Sequence, residues 1–205
     1  MIAIVDYKAG NLTSVQLAFS AIGREAVVTS DISAITSADR VVFPGVGAAG
    51  SAMRHLTDLG LLPAIRAVAA NGTPFLGICL GTQILLNHSD EDNGVETLGI
   101  IRGNTQKFKP SDPWQKVPQI GWNRIRIEKK HPLLDNIEDG SEFYFVHSYY
   151  PAPDNFGSVL CTTDYADISF ASMLGCGNVA ATQFHPEKSG RIGLRLLENF
   201  TRWNP

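Results

Sequence analysis

Residues 2 to 78 switch repeatedly between two hydrophobic periods. Short apolar or β-branched runs at Ile2 to Asp6, Ala26 to Thr29, Arg40 to Phe43 and Pro74 to Ile78 predict strands. Between them lie segments with helical spacing, such as Leu12, Val15, Phe19 and Ile22. This alternation predicts an α/β fold with a mostly parallel central sheet flanked by helices on both faces, because parallel neighbours need a crossover long enough to hold a helix. Sheets of this kind place ligands beyond the carboxyl ends of their strands. A length of 205 residues suits one well-buried core, so a single domain over 1–205 is expected.

After Asn87 helical spacing becomes scarce. A polar loop from His88 to Gly94 leads into strand-like runs at Gly99 to Phe108, Ile120 to Ile127, Phe143 to Tyr149 and Val159 to Thr163. These predict an antiparallel or mixed extension of the same sheet, closed by a strand at Asn178 to Phe184 and a helix from Arg191 to about Trp203.

A formal charge of −3 gives no basic field for nucleic acid. The N-terminal run meets Asp6 without a basic leader, and no stretch approaches a membrane span, so a cytoplasmic chain is expected. Cys79, Cys161 and Cys176 are odd in number and lack CxxC spacing, which calls for neither a disulfide framework nor a metal site. Nothing in the pattern calls for a cofactor.

The strand Pro74 to Ile78 runs directly into Cys79-Leu80-Gly81-Thr82-Gln83, with a helix expected over Gln83 to Leu86. A strand turning sharply into a helix lifts one side chain above the sheet, and small neighbours such as Gly77 and Gly81 leave room for the turn. The helix N-terminus then favours a thiolate at Cys79. Taken alone, Cys79 reads equally well as a small buried hydrophobe at a strand end.

A second apolar run stops at His185, with a carboxylate two residues on at Glu187. Imidazole can take a proton from a thiol and return it to a leaving amine, and Glu187 can fix the ring tautomer. A lone histidine before a proline is more often a turn residue, so it is the conjunction with Cys79 that points to chemistry. His147, inside Phe145-Val146-His147-Ser148-Tyr149, is the rival histidine and is read as lining a pocket or as structural.

These residues resemble the class I, or triad, glutamine amidotransferases, in a flavodoxin-like arrangement, and among them the glutaminase subunits of imidazole glycerol phosphate synthase. The likeness spans nearly the whole chain. It rests on Asp6-Tyr7 with Gly10-Asn11-Leu12, Phe43-Pro44-Gly45-Val46-Gly47, Gly77-Ile78-Cys79-Leu80-Gly81 with Gln83, Gly121-Trp122-Asn123, Tyr144 to Tyr149, and Gln183-Phe184-His185-Pro186-Glu187-Lys188. The resemblance implies that Cys79 attacks the carboxamide of glutamine, that His185 shuttles the proton and that Glu187 orients it. It further implies an oxyanion site at the backbone of Leu80 and the Gly45-Val46-Gly47 loop, which must reorient to complete it, and substrate contacts at Gln83, His147, Ser148 and Tyr149. Asn11, Trp122, Tyr144 and Lys188 match positions facing a partner, a (β/α)8 barrel cyclase of histidine biosynthesis that receives the ammonia. Relatives that supply ammonia to sugar-aminating synthases of surface polysaccharides, an inactive scaffold and a stand-alone γ-glutamyl hydrolase are the other readings. Lys8 where a glycine is common, Thr82 where a methionine is usual and Gln119 where a histidine is frequent depart from the family pattern.

Overall fold

The computed structural model describes residues 1–112 and 114–205. Its first half contains β1 Ile2–Val5, α1 Leu12–Ala21, β2 Ala26–Thr29, α2 Ile32–Thr36, β3 Arg40–Gly45, α3 Ala49–Asp58, α4 Leu62–Ala70, β4 Phe75–Cys79 and the one-turn α5 Leu80–Gln83. Then come β5 His88–Ser89, β6 Val95–Glu96, β7 Gly103–Lys107, β8 Gln119–Arg124, β9 Arg126–Ile127, β10 Glu142–His147, β11 Tyr149–Pro153, β12 Val159–Tyr165, β13 Ile168–Cys176, β14 Val179–Thr182 and α6 Gly190–Arg202.

The main sheet runs β2-β1-β3-β4-β14-β13-β12-β9. Its first five strands are mutually parallel and the other three are antiparallel. Successive strand residues point to opposite faces, so each central strand feeds two cores. Ile4, Val42, Leu76, Ile78 and Ala180 pack on one side with Val15 and Phe19 of α1 and Leu196, Leu197 and Phe200 of α6. Ala3, Val5, Val41, Phe43, Phe75 and Ala181 pack on the other with Ile35, Leu56, Ile65 and Val68 of α2, α3 and α4. Both faces are covered, as continuous apolar strands of a parallel sheet require.

The second half differs from the expected single extension. Only β13, β12 and β9 extend the main sheet, whereas β10 with β8, and β11 with β7, β5 and β6, form two small sheets of their own. Ser148 separates β10 from β11, so the expected run Phe143 to Tyr149 is divided between sheets. The helix expected over Gln83 to Leu86 lies instead at Leu80–Gln83, and the strand expected from Gly99 begins at Gly103. One set of bonds accounts for both: the amides of Leu98, Gly99, Ile100 and Ile101 donate to the carbonyls of Ile84, Leu86 and Leu85, so neither segment is free to continue its own ladder. The nine-residue β13, rich in small residues, carries no distinctive strand signal in the sequence.

Candidate active site

Cys79 closes β4 beside Gly45 of β3, and its backbone sits at φ 54° and ψ −111°, outside the regions a side-chain-bearing residue ordinarily occupies. The turn is this tight because α5 starts at the very next residue. A Cβ on Gly81 would lie 1.8 Å from the Phe43 carbonyl oxygen, and one on Gly77 would crowd Ala181 and Leu85. The elbow therefore exists only with glycine at 81.

His185 follows β14, the parallel neighbour of β4, which brings the two chain segments together. Its backbone amide donates to the Tyr144 carbonyl (2.9 Å), and the Ser189 hydroxyl donates to the His185 carbonyl (2.6 Å) while accepting from the Tyr144 amide (3.0 Å). The ring Nδ1 lies 2.6 Å from Glu187 Oε1, with both side chains buried. A carboxylate only accepts, so Nδ1 carries a hydrogen toward Glu187, and the buried Nε2 is the ring nitrogen left to exchange a proton inside the cavity. Burial by itself would push the imidazolium down, but the Cys79 sulfur and the Glu187 carboxylate outweigh it and hold His185 up at about 10.

A cavity of about 310 Å³ opens at this point. Of the residues singled out in the sequence, Cys79, His185, Val46, Gly47, Leu80, Gln83, His147, Ser148 and Tyr149 line it. Glu187 stands behind His185. Gly45 is not part of the wall: it is the last residue of β3, wedged so that a Cβ would fall 2.1 Å from the Tyr7 hydroxyl oxygen and 3.1 Å from Leu80 Cβ. Glu91 and Pro118, which the sequence does not mark, also line the cavity, as does Val146 of the Tyr144 to Tyr149 motif. Glu91 comes from the polar loop, where Asp92 adopts a left-handed backbone, and its carboxylate also accepts from the Ala49 amide at the start of α3 (2.7 Å). Among the described residues, no group of His, Cys, Asp and Glu side chains is arranged to hold a metal ion.

His147 is buried among Phe108, Phe145 and Phe170, with Nδ1 donating to the Tyr149 carbonyl (2.7 Å). Burial pushes its pKa down to about 4, so the ring is neutral near neutral pH. An unfolded chain takes up that proton below about 6.5. Stability from this group is therefore present above about 6.5 and is lost as pH falls toward 4, by on the order of 2 kcal/mol. Urea unfolding at pH 7 and pH 4.5 should show a smaller acid loss in His147→Gln than in the parent chain; equal losses would mean that the ring is not held neutral.

The residues expected to face a partner divide into two groups. Trp122 and Tyr144 pair across β8 and β10 with ring centroids 6.3 Å apart, and Lys188 Nζ lies 6.0 Å above the Tyr144 ring. Trp122 is 56% exposed and Ile120, on the same side of β8, 64%. Asn11 instead turns inward, where its side-chain amide donates to Glu187 Oε1.

The three departures from the family pattern also have local explanations. Lys8 has φ 66°, a conformation that favours glycine, and holds it with its amide bonded to Asp6 Oδ1 (2.9 Å). The Thr82 hydroxyl, fully buried, donates to the Thr182 carbonyl (2.6 Å). Gln119 is buried opposite His147 in the β8–β10 pair.

A family model described as glutamine amidotransferase class-I matches residues 3–203. The imidazole glycerol phosphate synthase subunit HisH of Dechloromonas aromatica (strain RCB) is 46% identical over 212 aligned positions, covering 100% of this chain and 97% of that one. The proteins of the same name from Desulfovibrio desulfuricans (strain ATCC 27774 / DSM 6949 / MB) and Methanocaldococcus jannaschii are 49% and 45% identical, covering 98% of this chain and 93% and 98% of theirs. Among solved structures, a chain of PurLQS from Thermotoga maritima superposes with a TM-score of 0.75 at 17% identity, covering 98% of this chain and 97% of that one. A structure titled glutamine amidotransferase gives 0.71 at 17% identity, covering 98% of both chains. At that identity the structural likeness is one of fold.

Proposed function

The chain belongs to the class-I glutamine amidotransferases, and on that footing we propose that it is the glutaminase subunit of an imidazole glycerol phosphate synthase of histidine biosynthesis. Glutamine and water give glutamate and ammonia. The relatives named above are all subunits of that synthase, which favours this acceptor over a sugar-aminating enzyme of surface polysaccharides.

One observation carries the chemistry: a cysteine on a strained elbow shares a cavity with a buried imidazole whose Nδ1 is locked to a buried carboxylate. The Cys79 sulfur attacks the carboxamide carbon, and the resulting oxyanion is held by the amide of Leu80 and the Val46-Gly47 backbone. Once the loop has turned to align them, donors of this kind each lower the barrier by roughly 3 kcal/mol. His185 gives its proton to the leaving nitrogen, which departs as ammonia and leaves a thioester. The same nitrogen, now basic, takes a proton from water as it attacks, and glutamate is released with the thiolate restored. Glu187 keeps Nε2 facing the reaction throughout. Glu91, the carboxylate in the cavity wall, and the Gln83 amide are suited to the substrate's α-ammonium group.

The released ammonia passes to a (β/α)8 barrel cyclase, whose products are imidazole glycerol phosphate and the aminoimidazole carboxamide ribotide. The exposed Trp122 and Ile120, with Tyr144 and Lys188 alongside, supply the aromatic and cationic anchors that stable interfaces use. The test is to co-purify the chain with its candidate barrel subunit and assay conversion of glutamine into product. Trp122→Ala should raise the dissociation constant by about 30-fold or more, as loss of a ~2 kcal/mol anchor requires. Calorimetric titration with unchanged affinity would remove this face from the interface.

A further inference from the structure

Gln183 was noted in the sequence only as part of a motif, yet its side chain touches the nucleophile. It follows β14 directly, its backbone amide donates to the Ser172 carbonyl (2.9 Å), and none of it is exposed. Its Nε2 lies 3.7 Å from Cys79 Sγ, and its Oε1 accepts from Gln83 Nε2 at 3.0 Å. Gln83 Nε2 also donates to the Tyr149 carbonyl at 2.9 Å.

The orientation of both amides follows from that last bond. A backbone carbonyl can only accept, so Gln83 must turn its nitrogen toward Tyr149. Both hydrogens of that nitrogen are then used, one on Tyr149 and one on Gln183. Gln183 must therefore present its oxygen to Gln83 and its nitrogen to the sulfur. Two consequences follow. The sulfur has a buried N–H donor in place before substrate arrives, and such a bond strengthens when the acceptor is an anion. The only part of the Gln83 amide left to the cavity is its oxygen, an acceptor, which selects a ligand with a donor at that point.

We infer that Gln183 is a positioning residue for the glutaminase reaction, holding a donor on the Cys79 sulfur and fixing the polarity with which Gln83 meets the substrate. This rests on the glutaminase reading of the cavity. A glutamine that merely fills its hydrogen bonds in the core would have neither effect separately.

Two substitutions in the full chain separate the roles. Gln183→Met removes both bonds, while Gln183→Glu keeps an oxygen acceptor for Gln83 and replaces the donor on the sulfur by a group that repels a thiolate. Alkylation of Cys79 by iodoacetamide at pH 7.5, followed by peptide mass spectrometry, reports the sulfur, and half-protection by L-glutamine reports Gln83; neither requires the partner subunit. Gln183→Met should slow alkylation about tenfold, as expected for losing a hydrogen bond to a charged sulfur, and raise the half-protecting glutamine concentration by up to about tenfold, as expected for losing the neutral amide bond that orients Gln83. Gln183→Glu should slow alkylation at least as much but leave protection within roughly threefold of the parent, as expected when the bond to Gln83 persists. Thermal melts confirm that each variant is folded. Folded variants that match the parent on both measures, or a Gln183→Glu that loses both in parallel, would overturn the inference. A parent chain that glutamine does not protect would overturn the glutaminase reading itself, and the Gln83 role with it.

Discussion

Cys79→Ala is expected to abolish glutamine-dependent synthesis by the assembled enzyme while synthesis from added ammonium salts survives. Loss of the nucleophile from a nucleophile, base and acid arrangement costs on the order of 10⁴- to 10⁶-fold in turnover, because His185 and Glu187 then have nothing to activate. The substitution deletes one sulfur at the wall of the cavity and leaves the apolar face around Trp122 intact, so assembly and the partner's chemistry should not change. Product formation from glutamine and from ammonium chloride, measured on the same preparation, decides it. Glutamine still serving as donor would remove Cys79 from the mechanism. Loss of both activities would make it a structural residue of the complex.

The second large effect is on folding. A methyl group at position 81 would sit 1.8 Å from the Phe43 carbonyl oxygen and 3.0 Å from its carbon, both backbone atoms of the neighbouring strand. Relief requires β3 and β4 to separate where Phe43 pairs with Gly77 and Gly45 with Cys79, at the centre of the main sheet. Gly81→Ala should therefore cost about 4 kcal/mol or more, placing it among the exceptional single substitutions, and lower Tm by on the order of 10 °C. Gly23→Ala is the control, since nothing lies within 4 Å of a Cβ there and only its φ of 70° is unfavourable. That substitution should cost about 1 kcal/mol. A Gly81→Ala protein that melts with the parent would show that the two strands are not this close.

The sequence reveals what depends on neighbours in the chain. The strands β1 to β4 are legible because alternating period and short length are local properties, and the elbow is legible because Gly77, Cys79 and Gly81 lie within five residues. His185 and Glu187 are two positions apart and can be read together. Gln183 is different: its significance depends on Gln83, 100 positions away, and on Cys79, 104 away. The bond from Asn11 to Glu187 spans 176 positions, and no pattern around Asn11 announces it. Glu91 is hidden in a polar loop where three acids look equally solvated, and only the folded chain shows that one of them lines the cavity. Gly45 is a different case. A Gly-Val-Gly stretch reads as one loop, but its first glycine completes a strand and only Val46 and Gly47 reach the cavity. The division of the second half into three sheets escapes for a related reason, since pairing partners are set by where chain segments meet.

The sheet order has a consequence for how the protein is made. β14 lies between β4 and β13, yet it is synthesised after both. Cys79 leaves the ribosome about a hundred residues ahead of His185, which at ordinary elongation rates is on the order of 5–20 s. During that interval the nascent chain has Cys79 without His185, and its sheet has a gap where β14 will fit. Insertion of that single late strand closes the sheet and brings His185 to Cys79 in one step, before α6 covers the adjoining face.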